Sequence, residues 1–384
     1  MVNILYFNNF KSTLPKMRDL ERRHFLKQGV FAASFYLFKP FMGLFGQTDG
    51  PTKPTWTQLV DVARWCPTIH NLQPHQLKVL SEDEAALYCD TARMLPIGDP
   101  QGIFVTIALG VFIEHLSIAA SNFGYKVIVS ELHQPLDTKL SGSQLFANLS
   151  LVQSSEQEKI YPDLIFRRRT SRLHYDGQPL QKEALDDIQQ EAALFGHDFF
   201  YDNSDPIVNS IIELNQKTLF DDLNKKVNRD ELDRLFRYND DDARKLKDGL
   251  WYKAMCFPGN LMRSVFQKHT KWNHGVRSQL LGNYYKNSFK GTRTIGWFAG
   301  AFETPSDWLN AGYMFARTWL LLTKHDAYLH PFGSLITNES AYNEMLPLLH
   351  GEPHRKKVWM IFRAGYSKTP VRSFRLTTDQ LILK

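Results

Sequence analysis

Two long stretches, residues 105–123 and 309–322, are apolar on nearly every side of a helix. A helix without a polar face has to be buried on all sides. Each stretch carries one glycine, Gly110 or Gly312, although a glycine inside a helix costs about 1 kcal/mol. We therefore predict two central, buried helices whose glycines allow close packing against a neighbour.

The two stretches also share their surroundings, since a Pro-containing turn precedes each, at 99–100 and 304–305. This predicts an internal duplication, although two buried helices can share such a composition by chance. No apolar run approaches the ~18 to 20 residues that a membrane-spanning helix needs, so we do not expect a multi-pass membrane protein. A hydrophobic content of 43% in 384 residues fits a soluble chain with a large core.

The remaining pattern mixes helices and strands. Apolar periodicity and the positions of prolines predict helices over 56–65 and 182–193. Short apolar runs predict strands over 77–80, 85–89, 126–132 and 358–362. The expected fold class is therefore α/β (α+β), with antiparallel sheets around the two central helices.

Charge and cysteine content exclude several classes of protein. The net charge is +6, and the basic residues form no long stripe, so we expect no nucleic-acid partner. The three cysteines form no CxxC pair and no zinc spacing. We therefore expect neither a disulfide framework nor a structural metal.

The N-terminal 46 residues have the pattern of a targeting segment. Arg22 and Arg23 precede Phe-Leu-Lys and then a moderately apolar stretch, as in a twin-arginine export signal. A basic amphipathic leader is the alternative. The signal predicts an encounter with the twin-arginine translocation machinery and a periplasmic or cell-envelope location, with membrane association if the leader is not cleaved. Without a working signal the protein stays cytoplasmic.

Residues 47–54 have the composition of a linker. Residues 202–296 are rich in charge and aromatic side chains, and 221–248 carry opposite charges at helical spacing. This pattern predicts a helical insertion, either an ordinary solvated one or a cover over a pocket.

Three clusters of polar residues carry the candidate chemistry. The first is a polar turn between a helix and a strand, which an ordinary capped turn would also explain; its residues are Pro67, Thr68, His70, Asn71 and Gln73. The second combines arginine forks with hydroxyls, which suits a phosphate but also a solvated basic turn; its residues are Arg168, Arg169, Thr170, Ser171 and Arg172. The third comprises Arg372, Ser373 and Arg375, which could add anion donors from a distant part of the chain. Rossmann, Walker, His-Glu-x-x-His and Gly-x-Ser-x-Gly patterns are absent from the sequence.

Together these segments resemble the nitroreductase family of FMN-dependent oxidoreductases, and most closely its exported, fused Acg-like branch. Residues 67–74 (P-T-I-H-N-L-Q-P) resemble the family's P-S-S-x-N-x-Q-P turn at the flavin ring. Residues 168–172 (R-R-T-S-R) resemble its R-R-S-x-R phosphate motif, and 362–375 its terminal arginine signature. His330-Pro331-Phe332-Gly333 corresponds to the segment whose backbone lies near flavin N5, which implicates Pro331 and Gly333.

The resemblance implies bound FMN, with a reduced nicotinamide, NADH or NADPH, as a candidate electron donor and a nitroaromatic, quinone or similar small molecule as acceptor. It implies that Arg168, Thr170, Arg172 and Arg375 neutralise the phosphate, and that Asn71, Gln73 and the Gly333 backbone address the ring. No side chain is required as a nucleophile, so no catalytic residue is assigned.

In the family, two subunits share each flavin, whereas this chain has the ring-side turn only in its first half and the arginine motif only in its second. The resemblance therefore implies a monomer that is a fused pseudo-dimer with one FMN. Its first half would span 55–160 and its second 161–384, with the insertion in the second half. The alternatives are a flavin-sequestering envelope protein without turnover, with the insertion closed over the flavin, and a protein whose site has decayed.

Overall fold

The computed structural model describes residues 52–350 and 356–384. The chain divides into two units, residues 1–52 and 53–384. The predicted leader, 1–46, and most of the linker lie outside the described residues.

The first part of this unit alternates short helices and strands around one long helix. In chain order its elements are α1 (Trp56–Ala63), β1 (His75–Val79), β2 (Glu84–Asp90), α2 (Ile103–Ser121), β3 (Tyr125–Leu132), β4 (Ser143–Gln153) and α3 (Asp163–Arg167). One-turn 3-10 helices occupy Ile69–Asn71 and Thr91–Arg93.

The second part repeats this order but contains a long insertion. It begins with α4 (Lys182–Leu194) and β5 (Asp198–Asp202). The insertion follows with α5 (Asp205–Asn224), α6 (Lys226–Leu235), β6 (Phe236–Arg237), α7 (Asp240–Leu246), β7 (Leu250–Trp251), α8 (Gly259–Gln267) and α9 (Gly275–Asn287). The chain ends with β8 (Thr294–Gly300), α10 (Pro305–Lys324), β9 (Tyr328–Pro331), α11 (Ser334–Thr337), α12 (Glu339–Met345), β10 (Lys357–Gly365), α13 (Thr378–Leu381) and β11 (Ile382–Leu383).

Two sheets have the same internal order. In the first the order is β1-β2-β4-β3, and in the second it is β5-β8-β10-β9. Every pair within these two sets is antiparallel. The C-terminal strand β11 adds to the first sheet, where Leu77 pairs with Ile382 in a parallel register. The expected α/β class, with central buried helices and antiparallel sheets, is confirmed; the parallel pairs β1–β11 and β6–β7 are exceptions to the antiparallel rule.

The central helices α2 and α10 cross at the predicted glycines. A Cβ built on Gly110 would lie 2.7 Å from the carbonyl oxygen of Leu309, and one on Gly312 would lie 2.4 Å from that of Ile107. Both distances are shorter than a carbon–oxygen contact allows, so only glycine permits this approach. The close packing expected from the sequence is confirmed.

One expectation about apolar length is wrong. Within the described residues, α2 is long and apolar enough to cross a membrane by length and composition, with a mean hydropathy of 2.0 over its best window. Its apolarity has another physical cause, because 78% of that window is buried inside the protein by the neighbouring helices and sheet. A buried core helix therefore meets the same length criterion as a spanning one.

The insertion forms its own apolar core between β5 and β8. Its buried members are Leu223, Phe236, Leu250, Phe257, Val265, Phe266 and Leu281. Phe236 pairs with Leu250 in its short parallel pair β6–β7, and the adjoining Gly249 N–H donates to the Asn71 carbonyl at 3.2 Å.

Candidate functional site

A cavity of about 800 Å³ is lined by three parts of the protein: the polar turn with helix α2, the segments around Arg168 and Arg372, and the insertion. It falls within the range of 300–1,000 Å³ that small-molecule sites occupy. Twelve of the fourteen residues predicted from the sequence line it: Pro67, Thr68, His70, Asn71, Arg168, Arg169, Thr170, Arg172, Pro331, Gly333, Arg372 and Arg375. The turn, the arginine segment and the C-terminal segment therefore meet at one site, as the sequence implied.

The polar turn reaches the cavity through an unusual backbone. His70, Asn71 and Gln73 have φ values of 46°, 59° and 54°, in the left-handed region that non-glycine residues seldom adopt. Thr68 Oγ1 accepts a hydrogen bond from the Gln73 backbone N–H at 3.0 Å and so closes the turn. Such strained conformations cluster at binding sites because the surrounding contacts hold them in place.

Two amide side chains tie this turn to distant segments. Asn71 Nδ2 donates to the Phe374 carbonyl at 3.2 Å, and Gln73 Nε2 donates to the Lys247 carbonyl at 2.9 Å. Gln73 Oε1 accepts from the Leu376 backbone N–H at 2.8 Å. The structure therefore places Gln73 behind the cavity wall, as a connector of the turn, the C-terminal segment and the insertion, and not on the cavity surface.

The arginine segment is positioned by strand β9. Thr170 forms a parallel bridge with Leu329, so the segment runs beside the strand that leads to Pro331 and Gly333. Ser171 is fully buried, and its hydroxyl contacts Ser367 Oγ at 2.8 Å. Ser171 therefore supports the segment from behind and does not line the cavity.

Four guanidinium groups converge at one end of the cavity: Arg168, Arg169, Arg372 and Arg375. None forms an ion pair with a carboxylate in the described part of the chain. Burial and then repulsion by Arg375 depress the pKa of Arg168, which is only 6% exposed. Burial, followed by repulsion from Arg169 and Arg375, lowers the pKa of Arg372 to about 10. This end, the arginine pole, carries buried positive charge that lacks a counter-ion among the described residues.

Several donors at the arginine pole have no partner. Buried nitrogens without a hydrogen bond are Arg168 Nε and Nη1, Arg169 Nε and Arg375 Nε. Unpaired buried donors are rare in folded proteins because each costs about 1–3 kcal/mol. A polyanion with several acceptor oxygens, such as a phosphate monoester, matches both the charge and the free donors.

Two tryptophans that the sequence did not single out hold the pole in place. The guanidinium of Arg168 lies 4.6 Å from the ring centroid of Trp319, and that of Arg372 lies 4.5 Å from the ring centroid of Trp65. These cation–π contacts orient both guanidiniums. Trp319 lies on α10, and nothing in its local sequence distinguishes it from an ordinary core residue.

Arg172 lies apart from the arginine pole. Its electrostatic neighbours are Cys256 and Tyr285 of the insertion, together with Arg363 and Tyr175, and burial is the main cause of its lowered pKa. It also depresses the pKa of His70, which burial lowers to about 4. Arg172 therefore lies at the insertion side of the cavity near the polar turn, and its implied role as a phosphate ligand stays a prediction.

Between these polar groups the wall is apolar. Helix α2 contributes Ile107, Ala108 and Val111, and the insertion contributes a further apolar surface that sequence reasoning did not place here. The residues described include no cluster of three or more His, Cys, Asp or Glu side chains that could hold a metal. The site thus combines an end rich in unpaired guanidinium groups, a polar turn and an apolar wall.

Of the comparisons with known proteins, only the one with solved structures found matches. No protein-family model matches the sequence, and no curated protein matches it. Among solved structures, the chain is similar to the FMN-dependent nitroreductase NfnB of Mycobacterium smegmatis in complex with NADPH, at 14% identity over 56% of this chain and 94% of that chain, with a TM-score of 0.34. It is similar to a nitroreductase with bound FMN from Bacteroides fragilis at 14% identity over 56% of this chain and 92% of that chain, with a TM-score of 0.32. A putative nitroreductase of Anabaena variabilis aligns with 86% of this chain and 91% of its own length at 10% identity, with a TM-score of 0.45.

Proposed function

We propose that this protein is an FMN-dependent oxidoreductase of the nitroreductase type, acting on nitroaromatic, quinone or similar acceptors. The arginine pole is the observation that carries the proposal. Its four guanidiniums lack counter-ions among the described residues, and they share one cavity with a polar turn and an apolar wall. A ligand with a phosphate at one end and a planar ring system at the other satisfies all three features.

The residues present fit FMN. Arg168, Arg169, Arg372 and Arg375, with the Thr170 hydroxyl, would hold the phosphate through charge-assisted hydrogen bonds. Asn71 Oδ1 is buried without a partner, so it is available to accept from the polar edge of a ring. The backbone around Pro331 and Gly333 lines the same region, and the apolar face of α2 would cover the ring.

When bound, FMN would supply hydride exchange, first with a reduced nicotinamide such as NADH or NADPH and then with the acceptor. The protein's own contribution is orientation, charge and exclusion of water. The arginine pole fixes one end of the ligand, and the α2 wall together with the insertion removes the other end from solvent. No side chain is needed as a nucleophile, and none is assigned that role.

We propose further that the chain is a fused pseudo-dimer that binds one FMN as a monomer. The identical order of the two sheets, β1-β2-β4-β3 and β5-β8-β10-β9, supports two related halves. The turn that lines the cavity lies in the first half and the arginine segment in the second. One complete set of binding residues per chain follows from that division.

We also propose export to the periplasm or cell envelope by the twin-arginine machinery, on the basis of Arg22 and Arg23. Replacement of both by lysine, followed by cell fractionation, tests this. We expect the variant to remain cytoplasmic, and an unchanged envelope location would contradict export.

The visible spectrum of the purified protein, recorded with and without NADH or NADPH, tests the enzymatic proposal. An oxidoreductase should be yellow, bleach with the nicotinamide and regain its colour when a nitroaromatic or quinone is added. A yellow protein that does not bleach with either nicotinamide or with dithionite would instead indicate sequestered flavin. A colourless protein that gains no absorbance with added FMN would refute flavin binding altogether.

A further inference from the structure

The cavity extends beyond the region proposed for the flavin and continues into the insertion. Helices α5 and α8 contribute apolar side chains to the same cavity surface: Leu219, Phe220, Leu223, Met262, Val265 and Phe266. These residues belong to, or pack against, the separate apolar core of the insertion. We call this part of the cavity the insertion arm.

Specific polar contacts fix the insertion to the rest of the fold. The insertion arm is therefore held in place as part of the cavity. Glu231 accepts hydrogen bonds from the backbone N–H groups of Ile97 at 2.9 Å and Gly98 at 2.8 Å. Asp248 bridges Arg93 at 2.9 Å and Arg237 at 2.6 Å. Arg93 also donates to the Leu72 carbonyl at 2.8 Å, so this second tie lies beside the polar turn, and the turn and the arm line the same cavity.

The two carboxylates of the insertion that line the cavity already have partners. Asp222 accepts from Asn338 Nδ2 at 3.0 Å and pairs with Lys225 at 3.4 Å, and Glu231 is satisfied by backbone donors. The chemistry that the arm presents to a ligand is therefore apolar. A pocket of this kind binds an alkyl or isoprenoid chain, because each methylene that leaves water improves affinity by roughly fourfold.

We infer that the acceptor is an aromatic or quinone compound that carries an apolar chain, with its ring at the flavin and its chain in the insertion arm. The inference rests on the proposed function, since it names the substrate class of that site. The cavity volume of about 800 Å³ is large enough for a ligand whose phosphate lies at the arginine pole, and for a further apolar group beyond its ring.

The test is equilibrium binding of quinones of one headgroup and different chain length, measured by tryptophan fluorescence quenching without an electron donor. The probes are 2,3-dimethoxy-5-methyl-1,4-benzoquinone, its 6-decyl derivative and, as a chain without a ring, 1-decanol. We expect the decyl quinone to bind at least about 100-fold more tightly than the parent quinone, given roughly fourfold per buried methylene. Equal affinities of the two quinones would overturn the inference, as would 1-decanol binding as tightly as the decyl quinone.

Two variants locate the chain. Leu219→Trp fills the arm, and we expect it to reduce the advantage of the decyl quinone over the parent quinone to below about tenfold. The matched control is Leu280→Trp on α9, because Leu280 is 61% exposed and does not line the cavity. If both variants retain the full dependence on chain length, the arm is not the chain site.

The outcomes also separate this inference from the proposed function. A yellow, reducible protein without any dependence on chain length contradicts the insertion arm alone. A protein that binds no flavin and yet prefers the decyl quinone contradicts the proposed oxidoreductase, and with it the role of that quinone as an acceptor.

Discussion

Arg168 carries its charge in a place where a lone guanidinium is costly. It is 6% exposed, two of its nitrogens lack partners, and after burial the main cause of its lowered pKa is repulsion by another arginine, Arg375. Trp319 is the group that offsets part of this cost. Such an arrangement favours a bound anion over stability of the ligand-free protein.

This conflict predicts opposite effects of one substitution on binding and on folding. Arg168→Met should weaken FMN binding by about 10- to 100-fold, the equivalent of ~1.5–3 kcal/mol for a hydrogen bond to a charged group. The free energy of unfolding of the flavin-free variant should not fall, because the substitution removes an unpaired buried charge and methionine can still contact Trp319. Flavin titration and urea unfolding measure the two effects.

The neighbouring Arg167 is the matched control. It is half-exposed and pairs with Asp326 at 2.9 Å on the surface. Arg167→Met should change the Kd for FMN by less than about twofold, since a surface ion pair contributes only ~0–1 kcal/mol. Equal losses of affinity in both variants would show that the effect is general charge and not the arginine pole.

His75 predicts how stability depends on pH. It is fully buried, stacks on Phe112 at 4.1 Å between ring centroids, and has no hydrogen-bond partner on either nitrogen. Burial, followed by repulsion from Arg375 and Arg93, lowers its pKa to about 3. The folded protein therefore keeps His75 neutral while the unfolded chain takes up a proton below about pH 6.5.

Because the unfolded state binds more protons, the free energy of unfolding must fall as the pH drops from about 6.5 towards 3. His75→Phe removes one such group. The free energy of unfolding of the variant, relative to that of the wild type, should therefore rise by about 1.4 kcal/mol for each pH unit between pH 6 and 4 as the pH is lowered. Urea unfolding across this range measures the difference. The control, His174→Phe, replaces an exposed histidine, and a similar gain there would refute the assignment.

At the scale of residues, the sequence could predict which polar groups meet but not which of them face the ligand. Gln73 and Ser171 belong to the right segments yet bind Leu376 and Ser367 from behind the cavity. Arg172 is the last residue of the arginine segment but lies beside Cys256 and Tyr285. Side-chain direction in an irregular segment depends on distant partners, which spacing along the chain does not contain.

At the scale of elements, the close crossing of α2 and α10 is the feature that the sequence predicted best. A glycine inside an apolar helix is visible in the sequence itself. Because it destabilises the helix, it indicates that a neighbour packs too closely for a side chain. Strands β4, β5, β8 and β9 left no comparable signal and were not predicted. Their residues become strands through pairing across the sheets, which is a tertiary effect that local pattern does not fix.

The crossing predicts a steric cost at both glycines. Gly110→Ala and Gly312→Ala should each lower the free energy of unfolding by about 1–3 kcal/mol, because the new methyl groups would meet Leu309 and Ile107 carbonyl oxygens at 2.7 and 2.4 Å. The double variant should lose less free energy of unfolding than the two single variants together, since the first methyl group already separates the helices. Chemical unfolding measures all three variants.

Gly282 on α9 supplies the matched control. An added Cβ there meets only the side-chain end of Gln216, at 2.8 Å, which can move away. Gly282→Ala should therefore leave stability unchanged or raise it by up to ~1 kcal/mol, as helix propensity predicts. Strictly additive losses at Gly110 and Gly312 would contradict their mutual contact.

At the scale of the whole molecule, the C-terminal segment joins the two parts of the site. It brings Arg372 and Arg375 to the arginine pole, donates the Leu376 N–H to Gln73, and then adds β11 to the first sheet beside β1. The C-terminal segment therefore completes a cavity whose polar turn lies about 300 residues earlier in the chain. A single chain supplies every group that the proposed site requires.

This arrangement predicts a monomer with one flavin. Sedimentation velocity of the purified chain, followed at 450 nm and at 280 nm, should give one species near the chain mass of 44.5 kDa, or slightly less if a leader is removed, with one FMN per chain.

Arg372→Met combined with Arg375→Met should lower the flavin content without changing the sedimentation coefficient, because both side chains serve the ligand and not an interface. A ratio near two FMN per chain would contradict the division of one site between two halves. Loss of flavin only on dilution, together with a fall in mass, would indicate that a second copy of the chain completes the site.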